Sequence, residues 1–284
     1  AQSTANTMKY TPREIVDEVN VTPVHPLVNF GYLIGTVVAA SVTIYVGLGV
    51  AGAQIAARIG PEAEARVGEV VFDSMFAGAD LIEEGPQFDY TQSLAESLRS
   101  DELKQRPELK LHILDEDIPN AMVSPGGHVF VTQGLLREAE TENELAFVLA
   151  HELGHYENRD TLRGLGRSLV FISLNSVLAL GGVQLPPMLT GSISLADLHY
   201  SRDQEQRADI YALETIYERY GHLGHSLDFF KRLNEQELDL GAVNQVLEWQ
   251  STHPLTQSRI EELEAFATQQ GWALEGEATA LPEE

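Results

Sequence analysis

Two histidines and a glutamate near the middle of the chain have the types and spacing of a metal-dependent hydrolytic site. The run is His151-Glu-Leu-Gly-His155, and a Thr141-x-x-Glu144 capping box predicts that a helix begins shortly before it. Histidines four apart lie on one face of a helix, so both imidazoles can reach one metal ion while Glu152 points at a water molecule bound there. The motif therefore predicts metal ligation by His151 and His155, with Glu152 as the catalytic residue.

The third ligand must come from another part of the chain, because a catalytic zinc ion takes three protein ligands and keeps a fourth position open. With no cysteine present, only histidine and carboxylate ligands are available. Glu205 lies in a polar helical run, and Asp209 shares its face, where it can accept the second ring N–H of a ligand histidine. The spacing alone leaves a second interpretation open, in which both acids form a solvated helix face.

The chain resembles a family of zinc metallopeptidases over roughly residues 62 to 268. The motifs that carry the resemblance are His151-Glu-Leu-Gly-His155, Ser201-Arg-x-x-Glu205-x-x-Ala-Asp209, Ser251-Thr-His253-Pro254 and the run from Pro119 to Gly127. This family, of the HExxH gluzincin type, holds the CAAX prenyl proteases, the HtpX-type membrane proteases and the BepA-like periplasmic proteases. Two departures are visible: Asp160 stands where members often carry a histidine, and Gln206 and Arg207 replace the usual residues after Glu205.

The resemblance implies a zinc endopeptidase that binds one Zn²⁺ per chain through His151, His155 and Glu205. Zinc would polarise the scissile carbonyl while Glu152 moves the proton. The implied partners are protein or peptide substrates, in particular unfolded or damaged membrane or envelope proteins. An alternative from another class is a catalytically quiet chaperone or assembly factor that keeps zinc only to hold its fold, and a homo-oligomer stays open for either.

His253 precedes a proline, which disfavours helical backbone and holds the histidine extended just ahead of a helix. Its imidazole then has three candidate roles: a donor to the oxyanion, a fourth zinc ligand that keeps the enzyme inactive until the loop moves, or a helix-capping group. The polar Ser251-Thr252 pair gives a loop able to shift, which favours the fourth-ligand interpretation.

A strand is predicted from His128 to Thr132, after the turn at Gly126-Gly127. We expect this strand to be an edge that pairs with an extended substrate by β-addition. The residues predicted to make that contact are Gly127, His128, Val129 and Phe130.

The first part of the chain predicts a membrane anchor. No charged residue occurs from 19 to 57, and the apolar centre from Phe30 to Val50 is long enough to cross a hydrocarbon core of ~30 Å. A cleaved signal peptide and a buried helix of a soluble protein are the alternatives. A second uncharged run, Ser168 to Ala196, is cut by Gly181-Gly182 and Pro186-Pro187 into pieces too short to span, so we expect it to be buried or at the interface. A hairpin that crosses the membrane twice is the alternative.

Charge and composition limit the remaining classes. With 43 acidic and 18 basic residues the net charge is -25, which repels nucleic acid and anionic headgroups. The basic residues flanking the anchor are balanced and do not orient it. An extracytoplasmic catalytic domain is only slightly favoured over the opposite side.

Together these features predict an α+β, mostly helical, zincin-like metallopeptidase domain with a small β-sheet, preceded by one N-terminal transmembrane helix. The predicted boundaries are an N-terminal tail over 1–26, the anchor over 27–57, the peptidase domain over 58–270 and an acidic flexible tail over 271–284.

Overall fold

The computed structural model describes residues 25–56, 58–76, 78–165, 200–238, 253 and 256–282. Most of the predicted N-terminal tail lies outside these residues. The uncharged run from 168 to 196 also lies outside them.

The N-terminal helix α1 runs from Pro26 to Ala56. Its span from Pro26 to Ile44 is long and apolar enough to cross a membrane, and none of that span is buried against protein. Thirty-one residues make a helix of roughly 46 Å. The chain divides into two compact units, of which the first ends at Gly47 and the second begins at Leu48.

The second unit combines helices with one small sheet, which confirms the α+β, mostly helical prediction. Its helices are α2 (Pro61–Phe76), α3 (Pro86–Ser97), α4 (Gln133–Glu138), α5 (Glu142–Glu157), α6 (Arg202–Tyr220), α7 (Asp228–Leu238) and α8 (Gln257–Gln270). Its strands are β1 (Leu81–Ile82), β2 (Lys110–Leu114), β3 (Ala121–Ser124) and β4 (His128–Thr132).

Helix α5 lies in the centre of the core. The Thr141 hydroxyl accepts a hydrogen bond from the Glu144 backbone N–H and caps its first turn. Every residue from 142 to 156 is buried, as expected of a helix surrounded by other elements. At Gly154 the backbone of α6 comes so close that an added Cβ would lie 2.7 Å from the Cα of Ala208. This close crossing brings the polar side chains of α5 and α6 together.

The sheet has the strand order β1-β2-β4-β3, so β4 is an interior strand and the prediction that it forms an edge is wrong. β4 pairs in parallel with β2 on one side and antiparallel with β3 on the other. The residue pattern of β4 indicates a strand but does not say which strands pair with it. Its parallel partner, β2, is separated from it in the chain by β3, so the pairing could not be predicted from local sequence. Among the described residues, β3 is the edge strand on this side of the sheet.

The C-terminal segment also differs from the prediction of a flexible tail. The backbone N–H of Glu142 donates to the Thr279 carbonyl, and the Thr279 N–H donates to Oδ1 of Asn143, both at 2.8 Å. The ring of Trp272 stacks on Tyr217 at 4.9 Å. The acidic composition predicted a flexible tail because it does not reveal these contacts. The hydrogen bonds of Thr279 and the ring of Trp272 hold this segment against the domain.

Candidate metal centre

The crossing of α5 and α6 gathers the side chains of the predicted zinc site. His151 and His155 come from α5, Glu205 from α6, and His253 from the segment before α8. One donor atom from each of these four residues lies within 4.8 Å of the others, and all four residues are buried.

Three of the distances between the donor atoms are close to those between the ligands of one metal ion. Nδ1 of His253 lies 3.2 Å from Nε2 of His151 and 3.1 Å from Oε1 of Glu205. The same carboxylate oxygen lies 3.4 Å from Nε2 of His155. Ligands at about 2.0–2.1 Å from a tetrahedral zinc ion are separated by about 3.3 Å, so these three distances fit zinc ligands.

His253 also faces the predicted general base. Its Nε2 lies 3.4 Å from Oε1 of Glu152, while its Nδ1 belongs to the donor cluster. The imidazole therefore lies between Glu152 and the other three donors. Of the three roles predicted for His253, this placement matches best the one in which it occupies the fourth ligand position.

The second ring nitrogen of His151 contacts Asp209, the residue predicted to lie behind a ligand histidine. Nδ1 of His151 is 3.0 Å from Oδ1 of Asp209. Arg259 of α8 in turn donates from Nε and Nη2 to the two oxygens of Asp209, each at 2.7 Å. Nη1 of the same guanidinium lies 2.7 Å from Oε2 of Glu205. One buried arginine thus holds both Asp209 and Glu205.

His155 has a matching arrangement that the sequence interpretation missed. Its Nδ1 lies 3.1 Å from Oδ2 of Asp160, and Nη2 of Arg207 lies 3.4 Å from the other oxygen of Asp160. Asp160 and Arg207 are the positions at which the chain departs from the family pattern, and here they contact each other. That both positions depart from the family pattern was the signal in the sequence that could have indicated this contact.

Two further residues of the site were not predicted. Arg259 lies in the first turn of α8, and no local motif connects it to Glu205 or Asp209. The ring of Tyr200 stacks on His155, with 3.9 Å between centroids and 14° between planes. Tyr200 directly precedes the Ser201 cap of α6, so only the fold shows that it faces a ligand.

The electrostatics of the site suit proton transfer at neutral pH. Burial raises the pKa of Glu152 to about 7, against the opposing effect of His155 and His151. A carboxylate with a pKa near neutrality can both accept and return a proton at physiological pH. Burial also opposes ionisation of Glu205, but hydrogen bonds from His155 and His253 outweigh it and lower the pKa of Glu205.

The donor set fits a divalent cation such as zinc. Burial alone would lower the pKa of His155, but its hydrogen bonds to Asp160 and Glu205 outweigh this effect and raise the pKa to about 9. The two carboxylates thus favour a positive charge at His155. A bound metal ion would supply that charge while its histidine ligands stay neutral. Both oxygens of Glu152 are buried, with the backbone of Val123 hydrogen-bonded to this carboxyl and Nε2 of His253 3.4 Å from Oε1.

The predicted substrate strand does not join this cluster. Nδ1 of His128 lies 3.0 Å from Nε2 of His112, and both rings stack on Phe72 of α2. Gly127 packs against Tyr156. Val129 and Phe130 are core residues of the interior strand β4.

Comparison with known proteins gives the family. Residues 87–267, more than half of the chain, match Peptidase family M48. The mitochondrial metalloendopeptidase OMA1 of Schizosaccharomyces pombe is 32% identical over 162 residues, which are 55% of this chain and 46% of that protein. The beta-barrel assembly-enhancing protease of Yersinia pestis is 26% identical over 230 residues, 77% of this chain and 46% of that protein.

The corresponding protease of Escherichia coli is 25% identical over 218 residues, 72% of this chain and 44% of that protein. The chain spans about half the length of the curated relatives it matches. The matched region contains both helices that build the donor cluster, together with His253 and Arg259. The resemblance found from the motifs is therefore confirmed, and the chain belongs to peptidase family M48.

Proposed function

We propose that this chain is a membrane-anchored, zinc-dependent endopeptidase that hydrolyses peptide bonds with a water molecule activated by Glu152. The observation that carries this proposal is the buried cluster of His151, His155 and Glu205 with the buried carboxylate of Glu152 beside it. The names of the related proteins, metalloendopeptidase and protease, support the same reaction class.

His151, His155 and Glu205 would hold the zinc ion. Bound zinc supplies Lewis acidity, which polarises the scissile carbonyl and lowers the pKa of a water molecule. Asp209 and Asp160 accept hydrogen bonds from the Nδ1 atoms of the two histidines and fix the tautomer in which each Nε2 is free to bind metal.

Glu152 carries the proton through the reaction. Its carboxylate takes a proton from the attacking water and gives it to the amine of the leaving peptide. A pKa raised to about 7 by burial suits both directions of transfer. The carboxamide of Glu152→Gln has nearly the same shape but cannot accept this proton.

His253 would regulate access to this machinery. In the structure its imidazole lies within 3.4 Å of Oε1 of Glu152 and within the donor cluster, where the water and the substrate carbonyl must enter. We propose that it acts as a fourth ligand that keeps the site closed until its loop moves. The second candidate role is donation of a hydrogen bond to the oxyanion after that movement.

The substrate would be an extended, unfolded segment that adds to the edge strand β3, in place of the interior strand β4. β3 packs against α5, which carries Glu152, and pairs with β4 along one of its two edges. The apolar helix α1 would anchor the chain in a bilayer, with the catalytic domain on the extracytoplasmic side. Damaged membrane or envelope proteins are then the substrates within reach.

A second candidate function is a catalytically quiet chaperone or assembly factor with a structural zinc ion. The specific observation in its favour is that four protein donors, His253 included, converge in the site. Structural zinc sites have four protein ligands, whereas catalytic sites have three.

Cleavage of casein by the whole chain, by Glu152→Gln and by a chelator-treated sample separates the two functions. The endopeptidase proposal expects cleavage by the untreated chain alone, with about one zinc ion retained in Glu152→Gln and turnover lowered on the order of 10²–10⁴-fold. Equal cleavage by all three samples would refute it. Stoichiometric zinc without cleavage in any sample would support the chaperone.

A further inference from the structure

The carbonyl of Val123 lies on the edge of strand β3 that does not pair with β4. The carbonyl of Asn120, one residue before the strand, accepts a hydrogen bond from the backbone N–H of Thr132 at the end of β4. In an antiparallel pair, alternate residues direct their N–H and C=O groups towards the partner strand and away from it. Counting from Asn120, the backbone groups of Ala121 and Val123 point away from β4.

A hydroxyl group already occupies this edge. Oγ1 of Thr161 donates to the Val123 carbonyl at 3.0 Å, because a carbonyl oxygen can only accept. Thr161 has a single hydroxyl hydrogen, so the contact of 3.1 Å between its Oγ1 and the Tyr200 hydroxyl must be donated by Tyr200. The hydrogen bonds therefore run in one direction, from Tyr200 through Thr161 to Val123.

The position of Tyr200 is fixed by the metal centre. Its ring stacks on His155, and its hydroxyl reaches Thr161 from there. Thr161 is 3% exposed and Val123 1% exposed, so the edge of β3 is closed at this point. An extended peptide that adds to β3 has to donate a backbone N–H to the carbonyl that Thr161 now holds.

We propose that Thr161, held by Tyr200, occupies on β3 the place of a substrate backbone N–H and so determines how readily an extended peptide can pair beside the metal centre. This inference rests on the proposed function, since it assumes that the substrate adds to β3. Thr161 and Tyr200 are then residues that set substrate affinity, while Glu152 and the metal ligands set turnover. A peptide whose N–H replaces the hydroxyl gains one hydrogen bond but must first displace another.

Peptide binding can be measured without cleavage in the Glu152→Gln background of the whole chain. The probe is a fluorescein-labelled β-casein peptide, followed by fluorescence anisotropy. Thr161→Ala, which removes the hydroxyl and opens space at the edge, should bind this peptide about 5- to 10-fold more tightly, the equivalent of roughly one hydrogen bond. Tyr200→Phe should shift affinity in the same direction by a smaller factor, and Thr161→Ser, which keeps the hydroxyl, should restore the parent affinity.

A matched control is Thr91→Ala, because Thr91 is also buried and donates its hydroxyl to a carbonyl, that of Gln87 within helix α3 rather than on β3. Thr91→Ala should leave peptide affinity unchanged. Zinc content and melting temperature, measured on every variant, identify any protein that has not folded, and Tyr200→Phe then serves in place of Thr161→Ala.

In the active chain, Thr161→Ala should lower KM with little change in kcat. Folded Thr161→Ala and Tyr200→Phe proteins that bind the peptide no more tightly than the parent would overturn the inference, even where the wild type cleaves casein. Tighter binding by Thr161→Ala in a chain that never cleaves casein would support the β3 edge and refute the proposed reaction. The two proposals can therefore fail separately.

Discussion

Replacement of Arg259 by methionine should destabilise the metal-free protein much more than the zinc-loaded protein. The Arg259 side chain is 11% exposed, and its guanidinium makes three contacts of 2.7 Å with the carboxylates of Asp209 and Glu205. Methionine keeps a similar length of apolar side chain but removes the positive charge. The carboxylates of Asp209 and Glu205 then remain buried without the positive charge of the guanidinium.

The size of the effect follows from the burial of these groups. Removing one partner of a buried, hydrogen-bonded ion pair costs about 3–5 kcal/mol, because an uncompensated charge is left behind. The metal-free protein should lose roughly this amount of unfolding free energy. A bound dication at Glu205 replaces part of the lost charge, so the zinc-loaded protein should lose less than half as much. Arg259→Lys should fall between the two, since it keeps the charge without the two-pronged contact to Asp209.

Denaturant unfolding in detergent at pH 7, with zinc and with a chelator, measures both free energies. Arg99→Met is the matched control: the Arg99 side chain is 5% exposed and bonds to Glu96 and to backbone carbonyls away from the cluster. Its replacement should cost the same with and without zinc. An Arg259→Met protein with equal losses in both conditions would show that the arginine and the metal do not share carboxylates.

The other predictions concern the ligands, the residues behind them and the pH. Glu205→Ala should lose zinc together with activity, and full zinc content by metal analysis would require another third ligand. His253→Ala should raise basal casein cleavage if it closes the site and lower it if it serves the oxyanion, whereas unchanged cleavage and zinc content would exclude both roles. Asp209→Ala and Asp160→Ala should each weaken zinc binding about 10–100-fold in competitive chelation, and unchanged affinity would remove that carboxylate from the metal centre. Burial lowers the pKa of His128 to about 4, so the folded protein binds fewer protons than the unfolded chain as the pH falls from about 6.5 to 4. Stability should therefore decrease over that range, and His128→Phe should show a smaller decrease.

The sequence was most informative where the chemistry is local. The spacing of His151 and His155 requires only one helix, and the Thr141 cap predicted where that helix begins, as the structure has it. Glu205 and Asp209 likewise share one helix face, so a single motif was enough to suggest both. Features that span a few turns of one element can therefore be predicted from residue types and spacing.

Pairings between distant segments cannot be predicted in this way. Whether β4 or β3 forms the edge depends on β2, which joins β4 in parallel. Arg259 reaches Glu205 from another helix, and spacing along one helix says nothing about the partner that packs on it. The C-terminal segment is held by hydrogen bonds between Thr279 and the first turn of α5. The acidic composition of this segment gives no indication of them.

The balance of charge supports the proposal that the centre binds a cation in addition to the guanidinium of Arg259. The guanidinium of Arg259 contacts two inner carboxylates, those of Glu205 and Asp209, and a third, that of Glu152, lies beside His253. With neutral histidines and an ionised Glu152, this inner set carries a surplus of two negative charges, which a divalent ion would balance. A positive charge beside a carboxylate lowers its pKa. Occupation of the donor cluster should therefore shift Glu152 from a pKa of about 7 towards the ionised form, the state in which it can accept a proton from water.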